Sequence, residues 1–95
     1  MKDHLKKLQA LRNKIDNIDN ELLNLLAKRK QTVQKIGRIK HANNLPLLDK
    51  KRQSEVMHSM ILKAQFLRLS PSFIRKLYDV IHEYSVGFQK SIDNK

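Results

Sequence analysis

From Leu5 to His41 the chain carries an apolar side chain at nearly every third or fourth position, and no proline interrupts it. Leu8, Leu11, Ile15, Ile18, Leu22, Leu25, Leu26, Val33, Ile36 and Ile39 form the series. Steps of three and four put these side chains along one stripe of an α-helix. Gly37 lies near the end of the stretch, where a helix tolerates glycine at a cost of ~1 kcal/mol against alanine. A helix of about 36 residues is ~54 Å long. The whole chain has only 95 residues, and a compact monomer of that size has a radius of gyration of ~12 Å. A rod of such length must lie against something along most of its stripe.

The stripe breaks at Asn43-Asn44-Leu45-Pro46. Asparagine favours turns, and the residue before proline avoids the helical region. Asp49 is placed to cap a second helix that runs to about Leu67. Its apolar face is Val56, Met57, Met60, Ile61, Ala64 and Leu67. Ser70-Pro71 is the sharpest boundary: serine caps, and proline suits the first helical position. A third helix is expected from about Pro71 to Lys90, with Phe73, Ile74, Leu77, Tyr78, Ile81, Tyr84 and Phe88 inside. The polar tail from Ser91 is expected to fray. No strand pattern and no repeat are visible. The expected fold is all-α, a single domain over residues 1–95 with helices at about 5–41, 49–67 and 71–90. Neither shorter helix can cover both ends of the long one. Two chains with paired long helices, each closed by the partner's shorter helices, solve the problem, so an intertwined homodimer is expected.

Charge narrows the partners. The formal net charge is +11. A basic surface, a nucleic-acid-binding module and a site for a small polyanion all fit that number. There is no cysteine, hence no disulfide framework and no thiolate metal site. His4, His41, His58 and His82 do not share a metal-ligand spacing, so no metal is expected and they read as surface or packing residues. No apolar run approaches the length of a membrane span, and no apolar h-region follows Met1-Lys2-Asp3-His4. No membrane association and a cytoplasmic location are expected.

The cations have an order. Arg29 and Lys40 are eleven residues apart, which on a helix returns to within ~20° of the same face with ~16 Å between backbones. Two long side chains can grip one small ligand across that gap. Arg12 precedes Arg29 by seventeen residues, ~25 Å away and rotated by ~100° on a straight helix. It can join the same ligand only from the partner of an antiparallel dimer. Asp49 and Arg52 are neighbours in the first turn of the second helix. Arginine there opposes the helix dipole, a small cost that points to a ligand, although Lys50 and Lys51 share it. Ser85 and Gln89 share a face of the third helix. Each of these residues taken alone is equally well a solvated surface group or, for Asp49, a helix cap.

Taken together they resemble the all-helical chorismate mutase family. The stretch Leu11-Arg12-Asn13-Lys14-Ile15-Asp16-Asn17-Ile18-Asp19 is similar to its opening signature. Leu22 through Arg29 and Ile36-Gly37-Arg38-Ile39-Lys40 continue the likeness. Pro46 through Arg52 resembles the family's loop and second-helix start, and Leu69-Ser70-Pro71 with Ile81 through Ser85 and Gln89 resembles its third helix. The similarity covers nearly the whole chain. It implies an intertwined helical homodimer that converts chorismate to prephenate, the step toward phenylalanine and tyrosine, without a cofactor. It also implies roles. Arg12 would reach the neighbouring chain's site and bind a substrate carboxylate. Arg29 would bind the ring-side or enolpyruvyl ether region together with a carboxylate. Lys40 would donate to the ether oxygen and a carboxylate, and Gln89 would donate its amide N–H to the ether oxygen. Asp49 would approach the ring hydroxyl, Arg52 would place the substrate at the pocket mouth, and Ser85 would hydrogen-bond the ring carboxylate.

Chemistry agrees with that residue set. A pericyclic rearrangement needs no nucleophile and no proton transfer. It needs a flexible dianion held in a reactive chair and donors on the oxygen where negative charge develops, worth roughly 3 kcal/mol each in comparable sites. Gln53 departs from the pattern, because the family commonly has glutamate there to accept from the C4 hydroxyl. Glutamine can still accept through its amide oxygen but without charge assistance. Weaker activity is expected. The departure also opens two related readings, an isochorismate pyruvate lyase and a 4-amino-4-deoxychorismate mutase. A basic nucleic-acid-binding module is the alternative of another class, but it does not account for the ordered spacing from Arg12 to Gln89, and no nucleic-acid partner is expected. Many relatives are fused to a dehydratase, dehydrogenase or synthase domain.

Overall fold

The computed structural model describes residues 2–93 as three helices. Helix α1 is Lys2–Ala42, α2 is Lys50–Phe66 and α3 is Pro71–Asp93. No strand occurs among the described residues. The pattern placed the start of α1 at Leu5, but Asp3 suits the first turn because it complements the helix dipole. The expected frayed tail from Ser91 is instead helical through Asp93, and its last two residues lie outside the described ones.

Side chains and backbone turns set the boundaries. Asp49 caps α2: its Oδ1 accepts the Arg52 backbone N–H at 3.0 Å, and its carbonyl accepts from Gln53 N–H at 2.9 Å. Ser70 caps α3 through Oγ, which accepts the Phe73 N–H at 3.3 Å, and Pro71 occupies the first helical position. The C-termini of α1 and α2 close with the same device. After α1, the Leu45 N–H reaches back to the Lys40 carbonyl at 2.8 Å and the Asn44 N–H to His41 at 3.3 Å. After α2, the Leu69 N–H bonds the Ala64 carbonyl at 2.8 Å and the Arg68 N–H bonds Gln65 at 3.2 Å. Both are Schellman closures, which need a left-handed residue just past the end. Asn44 (φ 54°) and Arg68 (φ 59°) supply it. Asparagine visits that region readily, whereas arginine carries the full Cβ penalty.

The chain divides into two units, Met1–Thr32 and Val33–Lys95. The first belongs to α1 alone. All nine of its leucine and isoleucine side chains, from Leu5 to Leu26, are exposed, Leu23 and Leu11 by 65% and 60%. The second unit holds the end of α1, the loop, α2 and α3. Helices α2 and α3 pack on each other. Val33, Ala64 and Ile74 are its buried apolar residues. Gly37 is buried as well, one turn past Val33 on the same face of α1. Phe73 and Tyr84, expected inside, are more than half exposed. Tyr84 instead meets Phe88 edge-to-face, with ring centroids 4.4 Å apart.

Replacing Arg68 by glycine removes the Cβ strain at the α2 C-terminus while keeping the backbone bonds. Arg68→Gly is expected to raise stability by about 0.5–1 kcal/mol, part of the ~1–2 kcal/mol left-handed penalty being offset by the greater entropy of unfolded glycine. Denaturant unfolding at fixed protein concentration measures this; an unchanged or lower midpoint would contradict the strain assigned to Arg68.

Candidate functional site

Lys40 lies in the last turn of α1, where a cation is favoured by the helix dipole. Its Nζ donates to the Leu47 carbonyl at 2.8 Å and to Gln89 Oε1 at 3.2 Å. The first bond holds the α1–α2 loop. The second joins residues 49 positions apart in sequence. An ammonium has three N–H groups and no acceptor. One N–H of Lys40 therefore remains after these two bonds. An ammonium can face only the oxygen of an amide, so the contact also fixes the Gln89 side chain with Oε1 toward Lys40 and Nε2–H₂ on its other side. Gln89 is 7% exposed. The two bonded side chains thus keep donors in hand, one ammonium N–H and the amide Nε2–H₂. Such a pair suits an oxygen that carries or gains negative charge.

Ser85 lies one turn before Gln89 on the same face of α3 and is 6% exposed. Its Oγ donates to the Ile81 carbonyl at 2.9 Å. The hydroxyl's single proton is committed to that bond. On α2, Asp49 and Arg52 are exposed and Gln53 is half-buried. Asp49 gives Oδ1 to its helix and keeps Oδ2. Lys40, Asp49, Arg52, Gln53, Ser85 and Gln89 all belong to the unit Val33–Lys95. Of them, Lys40 is bonded directly to Gln89, and Asp49 to the Arg52 backbone. Arg12, exposed, and Arg29, half-buried, stand on α1 in the unit Met1–Thr32.

Two features escape a reading of the sequence. The Leu47 carbonyl, which positions Lys40, is a backbone group, and any residue type would supply it. His82 is the other. It sits on α3 three residues before Ser85, and its Nε2 is buried without a hydrogen-bond partner. A buried polar atom left unpaired costs about 1–3 kcal/mol. An isolated histidine in a helical pattern gives no hint of that environment.

Elsewhere in the same unit, Leu62, Lys63, Phe66 and Leu67 line an open apolar groove of about 410 Å³ at the C-terminal end of α2. It offers a single charged group. No three His, Cys, Asp or Glu side chains come together as a metal-ligand set among the described residues. No helix there is long and apolar enough to cross a membrane.

The described residues form an all-helical protein of three helices in which Lys40 of α1 meets Gln89 of α3. Comparison with known sequences gives the family. Residues 11–90 match the profile of chorismate mutase type II, and the chain belongs to that family. It is 34% identical over 88 residues to a bifunctional chorismate mutase/prephenate dehydratase of Buchnera aphidicola subsp. Acyrthosiphon pisum, an alignment that covers 93% of this chain and 23% of that protein. It is 31% identical over 80 residues to a T-protein of Haemophilus influenzae, covering 84% and 20%. Among solved structures it resembles a conserved hypothetical protein from Pyrococcus furiosus, with 37% identity, a TM-score of 0.70 and coverage of 87% of this chain and 95% of the other. The chain spans less than a quarter of the length of the curated relatives it matches.

The cap and the ligand functions of Asp49 can be separated. Asp49→Ala is expected to cost about 1 kcal/mol of stability, and Asp49→Ser to cost a few tenths, because serine caps nearly as well. Equal stability loss in thermal melts of the two variants would show that the Asp49 carboxylate does more for the fold than cap α2.

Proposed function

We propose that the chain is a chorismate mutase that rearranges chorismate to prephenate in the route to phenylalanine and tyrosine, as an intertwined homodimer. The observation that carries the reading is the Lys40–Gln89 contact. It fixes the amide oxygen on the ammonium and leaves one ammonium N–H and the amide Nε2–H₂ to donate, and in this proposal both reach the ether oxygen. As the C–O bond of the enol ether breaks, negative charge gathers on that oxygen. Donors already fixed in place stabilise it without reorganising. The remaining cations hold the two carboxylates and bend the substrate into its chair, which converts conformational searching into a prepaid binding cost. Arg29 binds a carboxylate and the ether region, Arg52 guides the substrate at the pocket mouth, Ser85 adjoins the ring carboxylate, and Asp49 and Gln53 approach the ring hydroxyl.

Arg12 belongs to this proposal as the group that enters the partner's site. The exposed leucines and isoleucines from Leu5 to Leu26 support a second copy as their cover. An apolar row of this extent on a water-facing helix marks an interface. We place the enzyme in the cytoplasm with the other small dianion chemistry of biosynthesis.

Three measurements test the reading. Purified protein given chorismate is expected to form prephenate, with Lys40→Met and Gln89→Leu each lowering kcat/KM by about 10²–10³-fold. Salicylate from isochorismate with no prephenate from chorismate would favour the lyase of the same fold. Restoring the acid with Gln53→Glu is expected to raise activity on chorismate severalfold through a charge-assisted bond, and no gain would count against the mutase assignment. The shared site has its own signature. Arg12→Ala and Lys40→Met homodimers are both expected to be nearly inactive. After mixing and subunit exchange, about one quarter of the sites should be intact, because half of the dimers are hybrid and each hybrid has one undamaged site. No recovery in an exchanged mixture would place Arg12 outside the partner's site.

A further inference from the structure

We propose that His82 is a substrate-binding residue, its Nε2–H donating to the carboxylate on the substrate ring. This assignment rests on the dianion site described under Proposed function. Nε2 of His82 is shielded from water and bonded to nothing. A proton carried on this nitrogen needs an acceptor, which an anion supplies. Along α3 the order is His82, Ser85, Gln89. Three and seven residues of helix place His82 on the face shared by the other two, ~4.5 Å and ~10.5 Å along the axis from them. If Gln89 meets the ether oxygen and Ser85 adjoins the ring carboxylate, His82 stands at the carboxylate end.

Ser85 Oγ already donates to the Ile81 carbonyl at 2.9 Å, so a ring carboxylate beside it gains from a second donor on the same helix face. The His82 N–H is that donor, and the carboxylate supplies the missing acceptor. One bond relieves both groups. The sequence alone reads this residue as a surface or packing histidine, and its orphaned nitrogen is what points to a ligand.

The test compares wild type, His82→Leu and His82→Gln in the full chain. Leucine fills similar space with no donor, and glutamine can carry an amide N–H near the position of Nε2. Chorismate kinetics are expected to show KM raised about ten- to a hundredfold in His82→Leu with kcat nearly unchanged, the mark of lost uniform binding to a charged group. His82→Gln should stay within about threefold of wild type. His82→Leu should melt no lower than wild type, because it deletes an unpaired polar atom. A KM within twofold of wild type for His82→Leu, or an equal rise in both variants, would overturn the assignment. A measurement on the unmutated protein stands independently of variant folding. With ¹⁵N-labelled histidine, a bicyclic dianion that mimics the chair should shift the His82 Nε2 resonance and slow exchange of its proton. Binding of that dianion without any change at His82 would refute the inference and leave the mutase reading intact. Absence of both turnover and dianion binding by wild type would remove the mutase reading, and this assignment with it.

Discussion

A single ammonium group ties together the parts of the site that are distant in sequence. Lys40 holds the Leu47 carbonyl of the loop and the Gln89 amide oxygen of α3 at once. Each bond has a local consequence. The loop bond sets the chain just before Asp49, where the cap of α2 begins. The amide bond decides which end of Gln89 is left to donate. Deleting the ammonium would leave a buried amide with its oxygen unpaired, a cost of about 1–3 kcal/mol before any effect on chemistry. The charge that would stabilise a breaking ether bond is therefore also the charge that organises the amide beside it. Structure and proposed catalysis share one contact.

The first part of α1 makes a different demand. Its aliphatic side chains lie open to water, and exposed rows of that kind are what oligomeric interfaces cover. In the proposed dimer the same helix supplies Arg12 to one site and Arg29 and Lys40 to the other. Pairing would then serve stability and function together.

Much of this is legible in the sequence. The step of three and four in the apolar residues specifies α1, and Asn43-Asn44 and Ser70-Pro71 specify its end and the start of α3, because turn and cap chemistry is local. Asp49 was equally legible as a cap. The turn after α2 was not: Arg68 occupies a left-handed position with no glycine to announce it, and only the closing backbone bonds explain why arginine is tolerated there. Within one chain the apolar face of α3 is only partly covered. Phe73 and Tyr84 share the periodicity of Ile74 and Ile81, but periodicity assigns a face and not a neighbour. In the candidate site, the ordered cations were visible as spacing and as family likeness. The partners of Lys40 were hidden for two reasons. One is a main-chain carbonyl, and the other is a pairing across 49 residues that depends on how the helices meet. The environment of His82 was hidden likewise, since burial of one ring nitrogen leaves no trace in composition.

The most direct measurement is a crystal structure of the protein with a bicyclic dianion that mimics the chair-like transition state. The account predicts its ether oxygen between Lys40 Nζ and Gln89 Nε2, with a carboxylate reached by Arg12 from the second subunit. Density for the dianion away from Lys40 and Gln89, or a bound site completed by one chain alone, would contradict it.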